Sequence, residues 1–256
     1  MRPLLVALAC SAAVLSCSTP RMNNLAAPMV KSGSPVERAL QLVVVTTSGW
    51  DVTTGVLRQF TRADASSAWS ESAPPTPVVI GRTGLAWSDA ALASEMGQPV
   101  KREGDGRSPA GAFPLDTAFG FASQSEVPWI RLAYAPLTAG SDCVDDEQSA
   151  YYNTVVDRAT TRVDWKSAEH MRSISVYRIG VIVGYNANPP VRGRGSCIFL
   201  HIWGGPTSTT AGCTALDATA LEALVRWLDP NRRPMIVQLP RSEYARLRTT
   251  WNLPAE

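Results

Sequence analysis

The stretch Gly195-Ser196-Cys197-Ile198-Phe199-Leu200-His201-Ile202-Trp203, a Gly/Pro/Thr loop over 204–210, and then Ala211-Gly212-Cys213-Thr214 decide how this chain reads. As a strand, residues 197–203 alternate. Ile198, Leu200 and Ile202 share one face, and Phe199, His201 and Trp203 share the other. The glycine-rich loop lets the chain double back and bring Cys213 toward the His201 imidazole. An imidazole beside a thiol raises its thiolate fraction and makes the sulfur a competent nucleophile. Gly212 permits backbone N–H groups near Cys213 to face a developing oxyanion. The plainer alternative is a buried cysteine beside a strand histidine that is merely hydrogen bonded. A single zinc on Cys197, His201 and Cys213 fails on reach: four strand residues separate the first two by about 13 Å. Zinc holds its ligands at about 2 Å, so no metal is expected.

Working outward, Ser175-Val176-Tyr177-Arg178 and Gly180–Tyr185 read as strands upstream of the histidine. Gln41–Thr47, Gly55–Arg62 and Val78–Ile80 read likewise, with Pro74-Pro75-Thr76-Pro77 as a turn before the last. Beyond Cys213, Leu221, Leu224, Val225 and Leu228 fall at i, i+3, i+4 and i+7, giving one main helix. Asp217 is its expected N-cap, and Asp229-Pro230 stops it. Met235–Leu239 is a closing strand. The fold class is therefore mainly β with long loops. One domain over 41–240 is expected, followed by a C-terminal tail, 241–256, with neither repeats nor a second composition regime.

The N-terminus carries a short basic region and an apolar run through Leu15, too short to span a bilayer comfortably, which reads as an export signal over 1–16. Val14-Leu15-Ser16-Cys17 resembles a bacterial lipobox, which makes Cys17 a lipidation site and 17–40 a polar tether; ordinary cleavage is the other reading. One acyl chain anchors weakly, so a membrane anchor here needs multiple acylation. The chain of 256 residues has 24 Lys and Arg against 22 Asp and Glu, interspersed, so no basic stripe points to nucleic acid. Setting aside Cys10 and Cys17 leaves Cys143, Cys197 and Cys213, an odd number for an exported chain. The simplest partition is a Cys143–Cys197 disulfide with Cys213 free; the alternative is three reduced cysteines.

Several loops carry weaker signals. Lys101–Phe113 is glycine-rich and charged but lacks the Gly-Lys-Ser/Thr ending of a phosphate loop. The polar and aromatic cluster between 126 and 165 reads either as the wall of a cleft or as a solvated loop held by a disulfide. Its acids lack calcium-loop spacing. His170 reads as a surface or groove-wall histidine, with a second base as the alternative. Tyr185 and Asn186 precede a Pro-Pro turn and serve either the turn or a substrate. Trp203 is either a substrate contact or a core tryptophan.

The residues Gly195–His201 and Thr210–Leu216 resemble the catalytic region of the L,D-transpeptidase (YkuD-type) family. Supporting matches are Lys101–Gly106, Ser108-Pro109-Ala110-Gly111, Asp142–Asn153, Gly184-Tyr185-Asn186 and Trp227–Pro230. The resemblance implies a β-sandwich-like domain in the periplasm or cell envelope, acting without cofactors on peptidoglycan stem peptides. Cys213 would attack the carbonyl between diaminopimelate and a terminal D-alanine, and His201 would act as base and acid. The Gly212–Cys213 backbone would hold the oxyanion, and a thioester would pass to an acceptor amine, giving a cross-link. Thr210, Trp203, Tyr185 and Asn186 become candidate substrate contacts, and carbapenem-type β-lactams would trap the thiol. Alternatives are a carboxypeptidase or endopeptidase with the same pair, and an inactive peptidoglycan-binding lipoprotein. The sequence departs from the commoner pattern: Ala211 stands in place of a histidine and Ala215 in place of an arginine or asparagine. An anionic donor then needs another partner, for which Arg82, Arg107, Arg192 and Arg194 are available.

Overall fold

The computed structural model describes residues 33–255, with nothing described for the Met96 side chain. The signal segment and Cys17 lie outside the described residues. The chain is mainly β. Its strands are β1 (Gln41–Thr47), β2 (Thr54–Thr61), β3 (Ser70–Val79), β4 (Leu85–Trp87), β5 (Ser108–Pro114), β6 (Thr117–Gly120) and β7 (Ala133–Pro136). They continue with β8 (Ser141–Val144), β9 (Val155–Asp157), β10 (Ala168–His170), β11 (Ile179–Ile182), β12 (Phe199–Ile202), β13 (Thr214–Leu216) and β14 (Met235–Pro240). Among the described residues three α-helices join them: α1 (Ala90–Met96), α2 (Ala218–Trp227) and α3 (Arg241–Leu247).

Eleven strands form one curled mixed sheet in the order β4-β5-β14-β1-β2-β3-β13-β12-β11-β6-β7, and β10-β8-β9 form a separate small sheet. Strand β1, fourth in the large sheet, is buried along its whole length. A strand covered on both faces can be a continuous apolar run rather than an alternating one, and Leu42-Val43-Val44-Val45 is such a run. It pairs parallel with β14 and antiparallel with β2.

Three expectations are corrected. Pro74, Pro75 and Pro77 do not turn the chain; they lie within β3. Only Val78 and Val79 of that strand pair with β13, so the rest of its outer edge is unpaired by it. An edge tolerates proline because no ladder N–H is needed there, and register shifts against β2 absorb the irregularity. Ser175–Tyr177 is a 3-10 turn rather than a strand, closed by the Tyr177 N–H donating to Ile174 O at 2.9 Å. The segments flanking 41–240 also pack onto the domain. Val36 and Ala39 are buried, and the Arg62 guanidinium donates to the carbonyls of Ala39, Val36 and Glu37. At the other end α3 and the turn after it bury Tyr244, Leu247 and Leu253, so 241–255 is part of the fold rather than a tail.

The helix after Cys213 forms as the pattern dictates. Asp217 accepts from the N–H groups of Thr219 (2.8 Å) and Ala220 (3.3 Å), and Leu221, Leu224 and Val225 are buried. It packs on β11 and β12. The alternation along β12 also holds. Leu200 and Ile202 join the main aliphatic core, while Phe199 joins a second cluster with Phe119, Met171, Tyr177 and Cys213.

Candidate active site

The strands β12 and β13 run parallel, with Leu200 opposite Thr214 and His201 opposite Ala215. Cys213 precedes β13 by one residue and so lies level with Phe199, whose N–H points at Sγ at 3.3 Å. His201 is two residues further along on the same face as Phe199. The Cys213 and His201 side chains line one cavity of about 340 Å³ and are 5% and 7% exposed, so both are largely removed from bulk water.

The turn that presents the thiol is fixed from below. The Cys213 carbonyl accepts from the Thr210 hydroxyl (2.6 Å) and from the Ser108 hydroxyl (3.0 Å). Ser108 in turn accepts from the Gly81 N–H at 2.9 Å. Thr210 also accepts from the Gly212 N–H at 3.1 Å. That bond gives Gly212 a different task from the expected one: its N–H is engaged by Thr210, and its lack of a side chain permits close packing. A Cβ there would lie 3.1 Å from Arg107 O and 3.2 Å from Ile198 Cδ1, at a φ of 157°.

Cysteine pairing follows the odd-count reading. Cys143 and Cys197 form a disulfide, and Cys213 is a free, buried thiol. The bridge joins β8 to the segment entering β12 and takes the Cys197 sulfur out of metal chemistry. The thiol of Cys213 also reaches the Cys197 carbonyl at 3.4 Å. Burial pushes its pKa up, and the Glu169 carboxylate pushes the same way; the Phe199 N–H, the Tyr177 hydroxyl and Lys101 oppose them.

His201 Nδ1 lies 2.7 Å from the Ile202 carbonyl. A carbonyl only accepts, so Nδ1 carries the hydrogen and Nε2 keeps its lone pair. Burial lowers the imidazole pKa, partly offset by that bond, which keeps the ring neutral and able to accept a proton. The Tyr177 ring lies edge-on to the imidazole, with centroids 5.1 Å apart.

The cavity carries both signs of charge: Arg82 and Lys101 against Glu103, Asp145 and Glu169. Lys101 is only 3% exposed and is tied to Asp105 at 2.7 Å. Of the four arginines available to replace the missing partner, Arg82 lines this cavity, whereas Arg107 is held by Asp51 and the Leu85 carbonyl. Arg192 and Arg194 lie outside the lining. Ala215 has no exposed surface and sits between His201 and Val79 in the sheet, so a larger side chain there must displace its neighbours.

Of the other candidate contacts, Thr210 lines the cavity, but Trp203, Tyr185 and Asn186 do not. Trp203, just past the end of β12, donates its N–H to the Leu216 carbonyl at 2.9 Å and does not line the cavity. Tyr185 is buried in the main core, edge-on to Phe113, with its hydroxyl on the Arg194 carbonyl. Asn186 closes the 186–195 loop through Val191 and Gly195. Asn153 links that loop to the site: it donates to the Tyr185 and Asn186 carbonyls and accepts from the Cys197 N–H at 2.9 Å. His170 is exposed on a separate surface, with Nδ1 2.7 Å from the buried Asp142 carboxylate, which also pairs with Arg158.

Three residues that the sequence reading gave no role are in the site. The Tyr177 hydroxyl donates to Glu169 at 2.6 Å. Glu103 accepts from the Tyr152 hydroxyl (2.6 Å) and the Ser196 hydroxyl (2.7 Å), which holds the strand entry beside Cys197. The charged glycine-rich loop before β5 and its family-like Lys101–Gly106 pattern were the sequence signals for Glu103; Tyr177 and Glu169 gave none, because Cys213 is distant from both in the chain. Comparison of this chain with sequence-family models, curated proteins and solved structures finds no match.

Proposed function

We propose that the chain is a cysteine acyltransferase of the cell envelope that cross-links peptidoglycan stem peptides, an L,D-transpeptidase. One observation carries the reading: a free thiol shares a cavity with a neutral histidine whose Nε2 lone pair is available. The motif residues around His201 and Cys213 supply the substrate class.

In this mechanism the Cys213 sulfur attacks the carbonyl between diaminopimelate and the terminal D-alanine. The C–S bond forms, the C–N bond breaks, and the thiol's proton leaves on the D-alanine amine. An acceptor amine then attacks the thioester and loses a proton to His201 Nε2, which returns it to the departing sulfur. Arg82 and Lys101 supply positive charge for a stem carboxylate, and Glu103 and Asp145 supply negative charge for an ammonium group. Export through the N-terminal signal and anchoring at an acylated Cys17 belong to the same proposal, as does trapping of Cys213 by carbapenems.

The test is incubation of wild type and Cys213→Ala with purified muropeptides, read by mass. New dimers with wild type alone support transfer. Shortened monomers assign the same thiol to hydrolysis, and products identical for both proteins refute a Cys213 enzyme.

A further inference from the structure

The hydrogen bonds of His201 and Cys213 run to other partners: the imidazole to the Ile202 carbonyl, the sulfur to Phe199 N–H and the Cys197 carbonyl. Beside the sulfur lies a second set of proton-carrying groups. Tyr177 packs with Cys213 in one buried cluster, and its hydroxyl donates to Glu169 Oε2 at 2.6 Å. Tyr177 is buried, and all three side chains line the cavity.

The frame that holds this set is covalent. Glu169 on β10 pairs in register with Cys143 on β8, and Cys143 is bonded to Cys197, whose carbonyl meets the Cys213 thiol. A carboxylate on the small sheet is thus locked against a thiol on the large one.

We propose that Glu169, acting through the Tyr177 hydroxyl, is a proton acceptor for the Cys213 thiol distinct from His201. The S–H bond breaks as an O–H bond forms on Tyr177, and the original Tyr177 proton passes to Glu169. The products are a thiolate that accepts from Tyr177 and Phe199 N–H, a neutral carboxylic acid, and an unchanged net charge. The stored proton returns through Tyr177 to the departing amine, which leaves His201 Nε2 free for the acceptor amine.

The acid–base balance favours this division. Burial makes the thiol a weaker acid, so its proton moves uphill to either acceptor, and burial also makes His201 a weaker base than usual. Burial acts in the opposite sense on Glu169, raising its carboxyl to about 7, and the charges of Asp145 and Glu103 add to the rise. Lys101 and Arg82 are the cations of the same cavity, and Lys101 favours the thiolate. A carboxylate poised near neutrality is matched to moving a proton at neutral pH.

The proposal rests on Cys213 being the reactive group, so its test reads the thiol and not turnover. The full-length oxidised protein is alkylated with iodoacetamide between pH 5.5 and 9 and followed by intact mass, with Cys213→Ala defining labelling elsewhere. Wild type is expected to show a rise in rate that levels off near neutrality. Glu169→Gln and Tyr177→Phe should lose that step and react roughly tenfold to a hundredfold more slowly at pH 7.5, the low end of what a positioned proton acceptor contributes. If Glu169 were only a nearby anion, its removal would favour the thiolate and speed alkylation. An equal or faster rate in a Glu169→Gln protein that still unfolds cooperatively therefore overturns the relay. Failure to fold exposes the thiol and also speeds the reaction, so slow labelling cannot arise from it. Should Glu169→Gln not fold, Tyr177→Phe, which deletes one oxygen, decides by the same criterion. A protein inert toward muropeptides but showing the slow variants keeps the relay and loses only the substrate reading.

Discussion

Removing the disulfide is the perturbation with the most direct magnitude. The bridge closes a loop between residues 54 apart in sequence. In the chain-entropy treatment a loop of this length costs the unfolded chain about 14 cal/mol/K, or about 4 kcal/mol at room temperature. The Cys143→Ala, Cys197→Ala double variant should lose that amount of unfolding free energy, because both sulfurs are buried and alanine leaves no stray thiol to exchange with Cys213. For a domain of this size each kcal/mol corresponds to about 2–4 °C, so the midpoint should fall by about 8–16 °C. Urea titration of both proteins gives the free energies. The denaturant slope should rise slightly in the variant, since an unbridged chain exposes more surface when unfolded. A loss below about 1 kcal/mol would refute the reasoning, because it would mean that the small sheet is held without the bridge. The same variant unpins β8 and with it Glu169, so slower Cys213 alkylation should accompany the lost stability.

Other measurements follow from single contacts. Glu169 is part-buried with a carboxyl raised to about 7 against an ordinary 4.5. Between those pH values the native state binds more protons than the unfolded one, so this group's contribution falls as pH rises through that window. Replacing it with glutamine should raise the unfolding free energy by up to about 3 kcal/mol at pH 8 and by little at pH 4.5, measured as the difference from wild type so that His201 cancels. Arg62→Lys should cost roughly 2–4 kcal/mol in thermal unfolding, because a point ammonium cannot serve the Ala39, Val36, Glu37 and Ala65 carbonyls together. It should also speed proteolysis near Arg38. Asp217→Ala removes the cap of α2 and should lower stability by about 1 kcal/mol with no change in denaturant slope.

What sequence alone determined about this protein is whatever depends on neighbours along the chain. Period-two alternation placed Phe199 and His201 opposite Leu200 and Ile202, and a β-branched run marked β1. A cap and a proline bracketed α2, and an odd number of cysteines singled out Cys213. Tertiary structure decided the rest. Prolines 74, 75 and 77 became strand because β13 pairs with only the last two residues of β3. Ser175–Tyr177, rich in strand formers, became a 3-10 turn whose tyrosine joins the Cys213 cluster. Trp203, Tyr185 and Asn186 fell outside the cavity: Tyr185 packs in the main core, and Asn186 closes its own loop. Arg82 was singled out from four arginines, and Glu169 was brought to the thiol through a tyrosine, by pairings between segments distant in the chain. Alternation, caps and turns are short-range sterics and hydrogen bonding, legible a few residues at a time. Which charges meet around Cys213 depends on how the sheet curls and where the disulfide ties it, and no local pattern encodes that.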